Sequence, residues 1–105
     1  MKSLAYTIGA IEKASISLKE ANLRSESLRL EIASMRRKKK AGMKISDHDF
    51  HDKKREKSIW NMLRKDRQRA WDAIQMEFRE EAGWYGIVFR IDGEYIVAPQ
   101  VEDDL

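Results

Sequence analysis

From position 3 to about position 40 the apolar residues recur at helical rather than strand spacing. Leu4, Ile8, Ile11 and Leu18 follow one face, Ile16, Leu23 and Leu30 form an adjoining row at seven-residue steps, and Leu28, Ile32 and Met35 lie round the other side. The stretch has no proline and one glycine, Gly9, and is rich in Ala, Leu, Glu, Lys and Arg. These residues favour helix, so the pattern predicts a first helix over 3–40. Its apolar stripe is too wide for one partner helix. The surplus points first to a second copy of the chain, giving a homodimeric helical bundle.

A second helix is predicted over 47–81. Trp60, Leu63, Trp71, Ile74 and Phe78 follow the 3-4 spacing, with Ile59, Ala70 and Met76 alongside, whereas His51 to Ser58 contains no apolar residue. Between the helices, 41–46 carries stop and start signals. Lys38, Lys39 and Lys40 suit the negative end of a helix dipole, and Gly42 suits the left-handed residue that closes a helix. Ser46 reads as the next N-cap, with Asp49 in the capping-box position and Ile45 and Phe50 placed as a hydrophobic staple. Two helices of similar length joined by a short turn predict a long antiparallel αα-hairpin. Folding the chain about residue 43 or 44 sets Leu28 near Ile59, Ile16 near Trp71 and Ile11 near Met76.

After Gly83, which is expected to end the second helix, the period changes. Trp84 and Tyr85 open an aromatic and β-branched run, and Asp92-Gly93 separates it from Glu94-Tyr95-Ile96-Val97. This predicts a β-hairpin over 84–98 with a two-residue type I′ turn. In that register Phe89 opposes Ile96 and Val88 opposes Val97. Pro99 closes the second strand, and 99–105 forms an acidic tail. The fold class expected is therefore mainly α, a long antiparallel αα-hairpin followed by a short C-terminal β-hairpin, in one domain of 105 residues.

Composition narrows the function. There is no cysteine, hence no disulfide framework, no thiolate chemistry and no Cys-based zinc site, as suits a reducing, cytoplasmic setting. The longest uncharged run, Ser3 to Ile11, is too short to cross a bilayer, and Glu12-Lys13 closes it before a signal-peptide core forms, so neither a membrane span nor export by that route is expected. The net charge of +3 hides a strong segregation: Arg36 to Lys57 holds ten Lys or Arg against four acids, and Asp92 to Leu105 holds five acids and no base.

The basic block is the main candidate site. Arg36, Arg37, Lys38, Lys39, Lys40 and Lys44 precede the second helix, and Lys53, Lys54, Arg55, Lys57, Arg64, Lys65, Arg67 and Arg69 follow along it, so a hairpin gathers the two sets at one end. Such an end attracts phosphates without reading sequence, or meets an acidic protein surface. The plainer reading is a solvated helix face with neutralising i, i+4 pairs. Trp60, Trp84, Tyr85 and Tyr95 are candidates for a protein-docking surface, against the plainer reading that they pack the core. His48 and His51, three apart beside several Asp residues, are the sole candidates for metal ligands, and no further His or Cys completes a site. No Walker loop, nucleophile elbow or dinucleotide-binding glycine motif is present. No enzyme activity and no cofactor are expected. The expected function is a small non-catalytic regulator or inhibitor that binds a protein of a nucleic-acid-processing or transcription machinery. The alternative is a direct, largely sequence-independent DNA- or RNA-binding module that uses the basic tip. Its shape bears a loose likeness to small helical-hairpin RNA-binding dimers and compact phage or plasmid accessory proteins.

Overall fold

The computed structural model describes residues 2–98, in the order α1 (Leu4–Lys40), α2 (Asp47–Glu77), α3 (Arg79–Tyr85), β1 (Ile87–Phe89) and β2 (Tyr95–Val97). The chain is mainly helical, with a two-stranded antiparallel sheet after the helices. It divides into two compact units: a turn unit, 20–66, and a sheet unit, 1–19 with 67–105. The expected acidic tail over 99–105, with Pro99 closing the second strand, lies outside the described residues.

In the turn unit the local signals act as predicted. Gly42 takes a left-handed φ of 84°. Its N–H donates to the Lys39 carbonyl at 3.2 Å, and the Met43 N–H donates to that of Lys38 at 3.0 Å. This pair of bonds is a Schellman closure, which satisfies carbonyls that the helix end leaves open. Ser46 Oγ accepts the Asp49 N–H at 3.4 Å, so α2 begins on its N-cap. The two helical segments run antiparallel, since Lys39 meets Asp47, Glu31 meets Lys53 and Arg24 meets Glu56. Their seam buries Ala21, Leu28 and Ile32, and Ser25 Oγ donates to Asn61 Oδ1 at 2.6 Å. The expected partner of Leu28, Ile59, is exposed instead, as are Leu23 and Leu30. Leu28 and Ile32 belong to the buried face and not, as expected, to the far side.

The sheet unit is built on Ile11, Leu18, Trp71, Ala82 and Ile87, with Ile8, Ala14, Ile74, Tyr85, Phe89 and Tyr95 packed around them. Trp71 is fully buried, its Nε1–H donates to the Arg90 carbonyl at 2.7 Å, and Phe89 meets it edge-on at 5.6 Å between centroids. Burial of an indole with its one donor satisfied joins hydrophobic and polar terms in a single side chain. Of the expected pairs Ile16–Trp71 and Ile11–Met76, Trp71 and Ile11 are fully buried, whereas Ile16 and Met76 are exposed and lie outside the core. The α1 face that is buried here runs through Thr7, Ile11, Ser15 and Leu18.

The second helix expected over 47–81 is two helices. The chain leaves helical geometry at Phe78, with φ −103° and ψ 24°, while that side chain is buried and packs its ring 6.2 Å from Tyr6. Helical hydrogen bonding bridges the kink, since the Phe78 N–H donates to the Ile74 carbonyl and the Ala82 N–H to that of Phe78. Helix α3 then runs through Gly83, the expected stop, to Gly86. Gly86 has a φ of 66°, and a Cβ there would stand 2.9 Å from Ala98 Cβ. The Ala98 N–H donates to its carbonyl at 2.8 Å. Closure falls at Gly86 because there a left-handed residue also receives the returning chain. Trp84 and Tyr85 are consequently the last helical turn and not the start of a strand.

The strand register also departs from expectation by one residue. Ile87 pairs with Val97, Val88 with Ile96 and Phe89 with Tyr95. The loop has three residues, Ile91-Asp92-Gly93, closed by the Arg90 N–H on the Glu94 carbonyl at 2.7 Å. The Gly93 N–H donates to the Arg90 carbonyl at 3.3 Å, Gly93 has a φ of 87°, and among the described residues no non-glycine residue has positive φ. That is a type I turn followed by a left-handed bulge residue, since a type I′ turn requires positive φ at Asp92 as well. A one-residue slip exchanges the faces of a strand. Here it is decided by the core, which takes Ile87, Phe89 and Tyr95, and by Ser15, whose Oγ–H donates to the Gly93 carbonyl.

Candidate nucleic-acid interface

The turn unit carries fourteen Lys or Arg against eight Asp or Glu, a net +6, and the remainder of the chain seven against ten, a net −3. The excess in the turn unit is concentrated where α1 ends and α2 begins. Arg36, Arg37, Lys39, Lys40 and Phe50 line an open cavity of about 380 Å³ there. Phe50, in the first turn and a half of α2, is half-buried. Its ring lies under three cations: Lys54 Nζ is 4.5 Å from the centroid, Lys39 Nζ 5.4 Å and the Arg36 guanidinium carbon 5.9 Å. Sequence geometry explains the gathering. Lys54 lies one helical turn beyond Phe50, and Arg36 and Lys39 lie on one side of the last turns of α1.

A second cavity of about 400 Å³ shares Arg36 and is lined besides by Arg29, Ile32, Ala33, Lys54, Lys57, Ser58 and Asn61. Seven different cations line these two cavities, and among the described residues no carboxylate does. The nearby acids are engaged at the margin. Lys39 Nζ is 2.7 Å from Asp47 Oδ1, and this hydrogen bond, with the Lys39 charge behind it, lowers the Asp47 pKa. Arg29 holds Glu26 by two hydrogen bonds, which lower the Glu26 pKa. Glu31 is lowered likewise by its hydrogen bond from Lys53.

The predicted cations are not all brought together. Arg36, Arg37, Lys39, Lys40 and Lys54 converge. Lys53 turns to Glu31 at 2.9 Å, and Lys38 lines a separate hollow with Glu31, Ser34, Met35 and Lys53. Lys44, Arg55 and Arg64 are exposed and line neither of the cationic cavities. Arg29, Asn61 and the ring of Phe50 were not expected at the site. The seven-residue step from Arg29 to Arg36 and the i, i+4 step from Phe50 to Lys54 are the signals that mark Arg29 and Phe50, and no spacing in the sequence marks Asn61.

The other candidates are placed as follows. Tyr85 packs on the sheet-unit core and its hydroxyl donates to the Lys2 carbonyl at 3.2 Å. Tyr95 packs there too, and burial, aided by Glu12, raises its pKa. Trp84 is 55% exposed, and Trp60 is half-buried in the turn unit. His48 Nε2 lies 3.3 Å from Asp52 Oδ2, while the His51 ring lies beside Phe50 at 6.5 Å. Among the described residues no group of three or more His, Cys, Asp or Glu is placed to hold a metal, and no helix is long and apolar enough to cross a membrane.

No protein-family model, curated protein or solved structure matches the chain.

Proposed function

We propose that the chain is a non-catalytic binding protein that holds the phosphate backbone of a nucleic acid, largely without regard to sequence, through the basic end of its turn unit. One observation carries this reading: seven cations line two adjoining cavities that no carboxylate among the described residues lines. Like charges held together repel, and a polyanion relieves that repulsion while releasing its own counterions. The test is fluorescence anisotropy with labelled DNA and RNA across a salt series, for the wild type and the triple variant Arg36→Gln, Arg37→Gln, Lys40→Gln. Each lost phosphate contact lowers the slope of log affinity on log salt by about 0.7 to 0.9, so a fall of about 2 to 3 is expected. An unchanged slope refutes the reading.

A second reading is favoured by the sheet unit. Val88 and Ile96 face each other across the ladder on the exposed side of the sheet, and Trp84 is exposed as well. This apolar surface suits a regulator or inhibitor that docks on a protein of a nucleic-acid-processing or transcription machinery in the cytoplasm. A partner that survives nuclease treatment and is lost with Trp84→Ser and Val88→Ser supports it. Leu23 and Leu30, exposed seven residues apart on α1, favour a homodimer, which light scattering of the purified protein tests.

A further inference from the structure

Resting on the nucleic-acid reading, we infer that the basic end of the turn unit takes a single strand, with one base stacked on Phe50 and the flanking phosphates on Arg36, Arg37 and Lys40. Phe50 is the aromatic residue among the cavity's lining groups, and the four others are Arg36, Arg37, Lys39 and Lys40. It is not one of the buried core residues, and it is partly exposed at the most highly charged end of its unit. A staple between Ile45 and Phe50 accounts for an apolar residue at this position. It does not account for a ring under three cations, since Leu or Ile serves a staple equally well.

The chemistry of the two strand forms separates them. A duplex offers phosphates on its outside and keeps its base faces stacked on one another, so it has use for the cations and none for the ring. A single strand offers phosphates and free base faces together, and proteins that bind it set aromatic side chains beside a positively charged groove. The ammonium groups of Lys39 and Lys54, at 5.4 and 4.5 Å from the ring centroid, end long exposed side chains. A cation–π contact at an exposed site is worth less than the stacking of a base. An incoming base therefore displaces Lys54 from the ring face, and the freed ammonium moves to a phosphate. One side of the site is closed to anions, because Asp47 holds Lys39 at 2.7 Å. The strand accordingly lies on the Arg36, Arg37 and Lys40 side.

The test compares labelled oligo(dA), oligo(rA) and a mixed-sequence duplex of equal length, with the full chain as wild type, Phe50→Leu and Phe50→Tyr. Far-UV circular dichroism checks that each variant keeps its helix content. Phe50→Leu is expected to weaken single-strand binding about tenfold, with the salt slope and duplex binding unchanged, and Phe50→Tyr to restore single-strand affinity. Equal loss for oligo(dA) and oligo(rA) assigns the base face as the feature read, and a loss confined to one of them assigns that strand as the ligand. The inference is overturned if Phe50→Leu binds the single strands as the wild type does, or if Phe50→Tyr fails to restore binding while remaining folded. Those results leave the phosphate-binding reading standing. Wild-type protein that binds none of the three probes overturns both.

Discussion

Replacing Gly93 by Ala tests the structure where it departs most from the sequence pattern. Gly93 has a φ of 87°, and a Cβ built on it stands 3.2 Å from Leu18 Cδ2 and 3.4 Å from Leu18 Cβ and Cγ. Holding Ala in the left-handed region costs about 1 to 2 kcal/mol. The contact adds about 1 kcal/mol, because Leu18 is fully buried and has little room to give. The sum is about 2 to 3 kcal/mol, a fall in Tm of about 10 °C for a chain of this size. The assay is thermal and urea unfolding followed by circular dichroism. Adding Leu18→Ala removes the close Cδ2 and the Cγ contacts and leaves only the Cβ at an ordinary 3.4 Å, without touching the backbone cost, so the double-mutant cycle should return a coupling of about 1 kcal/mol. A companion variant addresses the turn itself. Ile91 is the second residue of the type I turn, where Pro is favoured, so Ile91→Pro should change stability by less than about 1 kcal/mol. In a two-residue turn at Asp92-Gly93 the same Pro removes the closing N–H and destabilises. A Tm for Gly93→Ala within about 2 °C of the wild type, or a large loss with Ile91→Pro, refutes the three-residue loop held against Leu18.

Two further outcomes are expected. Leu28 is fully buried in the turn unit and Leu23 is 72% exposed, so Leu28→Ala should cost about 3 kcal/mol in urea unfolding and Leu23→Ala less than about 0.5, and comparable losses disprove the seam assignment. The carboxyls of Glu26, Glu31 and Asp47 are lowered from 4.5, 4.5 and 3.8 by Arg29, Lys53 and Lys39. A folded-state pKa below the unfolded one gives stability that is present above the unfolded value and lost as pH falls through the folded value. Hydrogen exchange should therefore show the turn unit loosening as pH falls below about 4.5, less steeply in Glu31→Gln, and identical profiles for the two proteins count against the Lys53–Glu31 pair.

Much of the outline was legible without tertiary information because it rests on local chemistry. Lys40 ends α1 and Asp47 begins α2 as predicted, since Gly42 supplies the left-handed residue and Ser46 the cap within the turn itself. The aromatic and β-branched residues around Asp92-Gly93 mark a hairpin whatever its register. Gathering of cations at the turn follows from the chain reversing there.

What the sequence left open was decided by surfaces far along the chain. The buried face of α1 runs through Ile11, Leu18, Ser25 and Ile32 at seven-residue steps and through Thr7, Ala21 and Leu28 beside them. Its periodicity is regular, but Thr7, Ser25 and Ala21 are small or polar, so an apolar count prefers the exposed row of Ile16, Leu23 and Leu30. Burial follows from what opposes a residue: Asn61 accepts the Ser25 hydroxyl hydrogen, and the Gly93 carbonyl accepts that of Ser15. The choice of Gly86 over Gly83 as the helix stop, and the one-residue slip of the hairpin, were likewise settled by Ala98, Leu18 and Trp71. The helix ends at the turn are fixed by bonds within a few residues, whereas the stop at Gly86, the strand register and the seams are fixed by close packing between segments that the order of residues alone does not bring together.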